Sequence, residues 1–192
     1  MNIRHHLQPL CRRILSDDDE GLVDELFCAH YQAASQNASA SNQHAHFAGL
    51  AGVDLKSAFI SALSVIGGHH APVTDIRQFI TARADDSWIL QAIREKRLLG
   101  WGNSFHKGVP DPAMNHIAEY IAEHYSDWHA EIERITGLAH SAGKMIYPNA
   151  GLYTAVVADI IELAHGAELF LLALPRLSTW TKLYIEGRSG PQ

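Results

Sequence analysis

The 192-residue sequence predicts an all-α fold, and three observations carry that expectation. Apolar residues recur at three- and four-residue spacing in most segments, while the two-residue alternation of a half-buried strand is nearly absent. The breaks fall on helix punctuation, as at Gly67-Gly68, which stops one helix shortly before Pro72 starts the next.

A first helix is expected over Asp19–Ala34, followed by a polar stretch, Ser35–His46, read as loop or frayed helix end. Asp54 caps the next helix, which sets Phe59, Ala62, Leu63 and Ile66 on one face and ends at Gly67-Gly68. Pro72 suits the first turn of another, with Thr74 and Asp75 near its positive end. Ser87–Leu99 is a short amphipathic helix, and Gly100–Pro112, with three glycines and two prolines, is an irregular loop. Ala113–Gly137 carries Ile117, Tyr120, Ile121, Trp128 and Ile132 on one or two helices. The last two helices, Leu152–His165 and Ala167–Ile185, are dense in Leu, Ile, Val and Ala, which implies burial in a core or against a partner. Pro175 is expected to break or bend the second, and the tail Gly187–Gln192 reads as disordered.

Composition excludes several functions. A formal charge of -6, with no Lys/Arg cluster among aromatics, argues against nucleic acid as the main partner. Cys11 and Cys28 are too few for a disulfide framework, so a reducing, cytoplasmic setting is expected. No apolar run approaches the ~18 residues of a membrane span, and the N-terminus has no signal-like apolar region, so no membrane partner is expected. Thirteen histidines invite a metal reading through His44, His46, His69, His70 and His106, but their spacing is diffuse and surface or capping roles explain them better. No phosphate loop, nucleophile elbow or dinucleotide fingerprint occurs.

The chemistry-bearing pattern is concentrated near the C-terminus, in YPNAGLYTA from Tyr147 and ALPRLSTWTKLYIE from Ala173. This register resembles the citrate synthase family, whose segments read Tyr-Pro-Asn-Val-Asp-Phe-Tyr-Ser-Gly and Ala-x-x-Arg-x-x-Gly-Trp-x-Ala-His-x-x-Glu. No gap is needed from Asn149 to Glu186, so Ala173, Arg176, Trp180 and Glu186 fall on family positions. Further segments keep the family's order. Gln36-Asn37-Ala38-Ser39 resembles Asn-Ala-Ser-Thr, and Gly52–Ile66 resembles the Gly-Ala-Asp-Leu helix. Gly68-His69-His70-Ala71-Pro72 stands at the Gly-Pro-x-His-Gly-Gly-Ala turn. Gly100–Lys107, with Asp111-Pro112-Ala113, resembles Gly-Phe-Gly-His-Arg-Val-Tyr-Lys and Asp-Pro-Arg-Ala.

The resemblance implies a citrate-synthase-like helical large domain over 1–74 and 148–192, truncated at the N-terminus, with a small helical lobe over 75–147. It implies roles as well. His70, or else His69, would stabilise the enolate oxygen of a thioester from a helix N-terminus, where the dipole favours neutral imidazole. Two polar residues in an exposed turn is the competing reading. Arg176 would bind a carboxylate of an oxo acid, or pair internally with a residue such as Glu186. Lys107 would contact CoA phosphates, or simply be solvated.

Departures from the family pattern are as informative. The proton-abstracting aspartate falls on Gly151, the first substrate histidine on Ala34 and the ketone-polarising histidine on Asn103. The CoA-loop arginine becomes Ser104, the Asp-Pro-Arg arginine becomes Ala113, and the two glycines after the catalytic histidine become Ala71 and Pro72. The expectation is therefore either a redirected enzyme or a catalytically inactive member with an assembly or regulatory role. The enzyme would act on an acyl-CoA thioester and an oxo acid through an enolate, with Asn103 assisting the electrophile and Asp75 or a partner subunit supplying the base. No tightly bound cofactor is expected, the CoA thioester being a co-substrate, and the partner is a second copy or a homologue in a dimer.

Overall fold

The computed structural model describes residues 3–36, 39–66 and 72–189. Along them run α1 (Ile3–Leu7), α2 (Asp17–Gln36), α3 (Ala40–Leu50), α4 (Leu55–Ser64), α5 (Val73–Thr81) and α6 (Asp86–Arg94). They continue as α7 (Asn115–His124), α8 (Ser126–Ser141), α9 (Ala150–Ile160), α10 (Glu168–Ala173) and α11 (Leu177–Ser189). Among the described residues there is no strand; isolated bridges join Cys11 to Leu163 and Trp101 to Pro148.

Local chemistry sets most starts. Ser16 and Asp19 form a reciprocal capping box on α2: the Asp19 amide donates to Ser16 Oγ (3.2 Å) and the Ser16 amide to Asp19 Oδ2 (2.7 Å). Arg13 adds two hydrogen bonds of 2.7 Å to the same carboxylate, which is buried. Burial resists ionisation of Asp19, but the bonds from Arg13 and Ser16 outweigh it and hold the carboxyl below its ordinary range. Asp54 and Asp85 cap α4 and α6 through the amides of Ser57 and Trp88.

Helix α9 is the axis of the main core. Every residue from Gly151 to Ala158 is buried, as suits a helix apolar all round. Around it pack Leu22 and Leu26 of α2, Ile76 and Ile80 of α5, Ile117 and Ile121 of α7 and Ile135 of α8. Residues before 74, between 75 and 147, and after 148 thus share one core, each large aliphatic side chain contributing about 1.5–3 kcal/mol. A smaller core joins Ala45 of α3, Ala62 of α4, Ala173 of α10 and Trp180 of α11. Here α3 and α11 touch backbone to backbone. A Cβ on Gly49 would overlap the Tyr184 carbonyl oxygen, and one on Gly187 the His46 carbonyl oxygen.

Several boundaries differ from expectation, among them the end of α6 at Arg94 rather than Leu99 and of α8 at Ser141 rather than Gly137. The polar stretch expected as loop or frayed helix end is largely ordered helix: Ser39 caps α3 and Asn42 is buried, donating to the Ala34 carbonyl (2.7 Å) and accepting from Trp180 Nε1 (3.1 Å). Its polar atoms are satisfied inside the fold, so polarity there does not mean exposure. Helix α11 continues to Ser189 rather than ending at Ile185, because Gly187 is buried against α3. Helix α9 stops at Ile160, where the chain turns through Glu162 in the left-handed region (φ 49°) to bring Leu163 against Cys11. Pro175 breaks the last helical segment as expected, within a 3-10 turn over Leu174–Arg176.

Candidate functional site

A cavity of about 360 Å³ opens where α5, the start of α9, the Gly100–Phe105 loop and the Leu174–Arg176 turn converge. The loop is stitched to the α9 entry. Gly102 N donates to the Tyr147 carbonyl (2.8 Å), Asn149 N to the Gly100 carbonyl (2.9 Å) and Asn149 Nδ2 to the Gly102 carbonyl (2.9 Å). Gly100 and Gly102 adopt φ of 88° and 92°, a conformation open to glycine. Trp101 points into the core instead, its Nε1 donating to Thr136 Oγ1 at 2.9 Å. Asn149 also caps α9, accepting from the amides of Gly151 and Leu152.

Two of the sequence-predicted site residues, Asn103 and Arg176, line this cavity together with Gly151. Lys107 is exposed and lines an adjoining cavity of about 190 Å³, which shares Gly102, Asn103 and Asp111 with the first. His69 and His70, with Gly67, Gly68 and Ala71, lie outside the described residues. Asp75, the proposed substitute base, is exposed on α5 and lines neither cavity, whereas its neighbour Ile76 does line the first. Glu186, the proposed internal partner of Arg176, stands 3.8 Å from Lys182 instead, one helical turn away.

Arg176 is partly buried, and among the described residues its one hydrogen bond runs from Nη1 to the Leu172 carbonyl (3.1 Å). Among the same residues no carboxylate pairs with it, and burial pushes its pKa down to about 10. The fully buried His30 of α2 sits within its field. Burial first, and the Arg176 charge second, drive the His30 pKa well below the ordinary imidazole value, so this ring is neutral. Thr154 Oγ1 spends its hydrogen on the Ala150 carbonyl (2.8 Å), so His30 Nε2 donates to it (2.7 Å) and, among the described residues, Nδ1 is an acceptor without a partner.

Asn103 is held on both sides. Its Nδ2 donates to Asp111 Oδ2 (2.8 Å) and its Oδ1 accepts from the Phe105 amide (2.8 Å), leaving one amide hydrogen for a ligand. The glycine at 151 is fitted closely: a Cβ there would lie 3.0 Å from Ile76 Cδ1 and 3.1 Å from Asn149 Oδ1. Sequence reasoning missed His30 and Asp111 as members of this region. His30 stands four residues before Ala34, where the family's first substrate histidine falls, but His44 and His46 are nearby too, and Asp111 was legible only as the start of Asp-Pro-Ala. Among the described residues, no cluster of three His, Cys, Asp or Glu is placed to hold a metal, and no helix is long and apolar enough to cross a membrane.

Comparison with known proteins agrees with this architecture. The structure is similar to the citrate synthase of Thermotoga maritima (TM-score 0.78, 21% identity, 90% of this chain and 50% of that one). It is similar also to the citryl-CoA lyase of Hydrogenobacter thermophilus (TM-score 0.77, 13% identity, 99% and 76%). A third relative is the citrate synthase of Thermoplasma acidophilum in ternary complex with carboxymethyl coenzyme A and oxaloacetate (TM-score 0.70, 20% identity, 94% and 51%). The chain thus spans about half the length of the two synthases. No curated protein sequence matches it. The family model of the citrate synthase C-terminal domain matches residues 4–190, nearly the whole chain, and the chain therefore belongs to the citrate synthase family.

Proposed function

We propose that the chain binds an acyl-CoA thioester and an oxo acid and makes or breaks a carbon–carbon bond through the thioester enolate. The observation that carries this reading is Arg176, a guanidinium in a cavity wall that meets no carboxylate among the described residues. A cation so placed is completed by an anion from outside. Arg176 holds a carboxylate of the oxo acid, the remaining Nδ2 hydrogen of Asn103 reaches its carbonyl, and His70 or His69 stabilises the enolate oxygen. Lys107 meets CoA phosphates from the adjoining cavity, on the same loop that carries Asn103. The thioester is a co-substrate, and the cavity is the cleft between a large lobe, 1–74 with 148–192, and a small lobe, 75–147. Exposed Phe47, Leu50, Ile60 and Ile185 on α3, α4 and α11 suit an apolar contact with a second copy or a homologue.

The second reading, an inactive member kept for assembly or regulation, is favoured by Gly151 itself, which supplies no carboxylate and sits closely against Ile76, a Cβ there lying 3.0 Å from Ile76 Cδ1. Loss of a base costs on the order of 10²–10⁴ in rate. Calorimetric titration with acetyl-CoA, CoA and a panel of oxo acids separates the two readings. Saturable binding, with oxo acid affinity weakened in Arg176→Met, is the expected result; a folded protein that binds neither class of ligand overturns the enzyme reading.

A further inference from the structure

With glycine at position 151, the enolate chemistry proposed above lacks a proton acceptor, and the walls of the cavity offer a specific replacement. We infer that Asp111 is that acceptor, an inference resting on the proposed function. Among the described residues Asp111 is the one carboxylate lining the main cavity, where it shares the wall with Asn103, Gly151 and Arg176. It is 6% exposed, and it lies on the boundary with the cavity lined by Lys107.

Its orientation is fixed without exhausting it. Oδ1 accepts from the Ala113 amide (3.0 Å) and stands 3.5 Å from His106 Nε2, while Oδ2 accepts from Asn103 Nδ2 (2.8 Å). Each carboxylate oxygen carries two lone pairs, so acceptor capacity remains on both. In the step assigned here, a proton on the carbon next to the thioester carbonyl passes to a carboxylate oxygen of Asp111. The C–H pair becomes the enolate double bond, the carbonyl π pair moves to oxygen, and Asp111 becomes a neutral carboxylic acid. The reverse transfer returns the proton to carbon. Asn103 and Asp111 thus form one unit: the amide that faces the electrophile also positions the group that generates the nucleophile.

The test is exchange of the acetyl protons of acetyl-CoA in D2O, read by mass spectrometry with and without oxaloacetate, alongside calorimetric binding of the same thioester. The wild-type chain exchanges above the buffer rate. Asp111→Asn and Asp111→Ser bind acetyl-CoA as before and exchange at least ~10²-fold more slowly. Serine retains an oxygen for the Ala113 amide, so it carries the test should asparagine disturb the fold. Added formate restores part of the exchange in Asp111→Ser, which a merely structural role for Asp111 does not predict. Wild-type exchange in either folded variant overturns the assignment, as does a wild-type chain that binds acetyl-CoA without exchanging it. A wild-type chain that does not bind acetyl-CoA overturns the proposed function and this assignment together, and the binding arm distinguishes that result from the others.

Discussion

Arg77 and Arg176 both enter the interior from helical segments, and the chain treats them in opposite ways. Arg77 of α5 donates from Nη1 to Glu168 Oε1 and to the Leu163 carbonyl, both at 2.8 Å. Glu168 is fully buried and accepts a further bond from the Gly166 amide at 2.8 Å. Burial resists ionisation of Glu168, but Arg77 and the amide hydrogen bonds hold its carboxyl below the ordinary range. For Arg176 burial prevails, lowering its pKa and disfavouring its charged form, and among the described residues no carboxylate pairs with it. A buried charge with its counter-charge in the chain is compensated within the fold; Arg176 lacks that compensation among the described residues, which is why the oxo acid carboxylate is proposed to supply it.

The comparison breaks most visibly if Arg77 is removed. Arg77→Ala strands the Glu168 carboxylate and should cost about 3–5 kcal/mol, read as the shift in a denaturant midpoint. Adding Glu168→Leu to it should recover much of the loss. Acid titration probes the same pair. The folded carboxyls of Glu168 and Asp19 lie below their unfolded values, so the unfolded chain takes up protons first as the pH falls. Their stabilisation is complete above the ordinary carboxylate range near pH 4–4.5 and declines as the pH drops through the folded values. A stability profile flat down to pH 3 would contradict the pairing.

Arg176→Met should behave in the opposite sense, with folding stability changed by less than about 1 kcal/mol or raised. Oxo acid binding should weaken by ~10- to 150-fold, corresponding to about 1.5–3 kcal/mol for charge-assisted bonds. A loss of stability as large as that of Arg77→Ala would show that Arg176 is structural after all. The smallest effect is expected at the exposed Lys107. Lys107→Ala should weaken CoA binding by no more than ~5-fold, about 1 kcal/mol, and the difference should vanish at high salt.

What the sequence made legible was what depends on neighbours in the chain. The Asp54 cap of α4 and the break at Pro175 rest on contacts within a few residues, and both stand where expected. The Ser39 cap and α3 did not read as helix because their polar side chains are satisfied from afar. Asn42 meets Trp180, 138 residues away, and only the folded core shows this. Asn103, Arg176 and Lys107 were legible through family register, and the fold brings the first two to one cavity and the third to its neighbour. That Glu186 has Lys182 rather than Arg176 beside it depends on helix phase around the break at Pro175. Asp111 reads in sequence as the start of Asp-Pro-Ala in an irregular loop, and its place on the cavity wall emerges only when the loop is stitched to Tyr147 and Asn149.

The contact of Gly49 with Tyr184 and of Gly187 with His46 bears on how such a site would close over its ligands. Helix α11 begins at Leu177, directly after Arg176, and main chain pressed on main chain leaves it no compressible layer along which to slide. Arg176 is therefore mounted on a stator. The facing loop is anchored as well, Gly100 and Gly102 being hydrogen-bonded to Asn149 and Tyr147, so Asn103 and Arg176 line the cavity from two fixed segments and its shape is set by the fold.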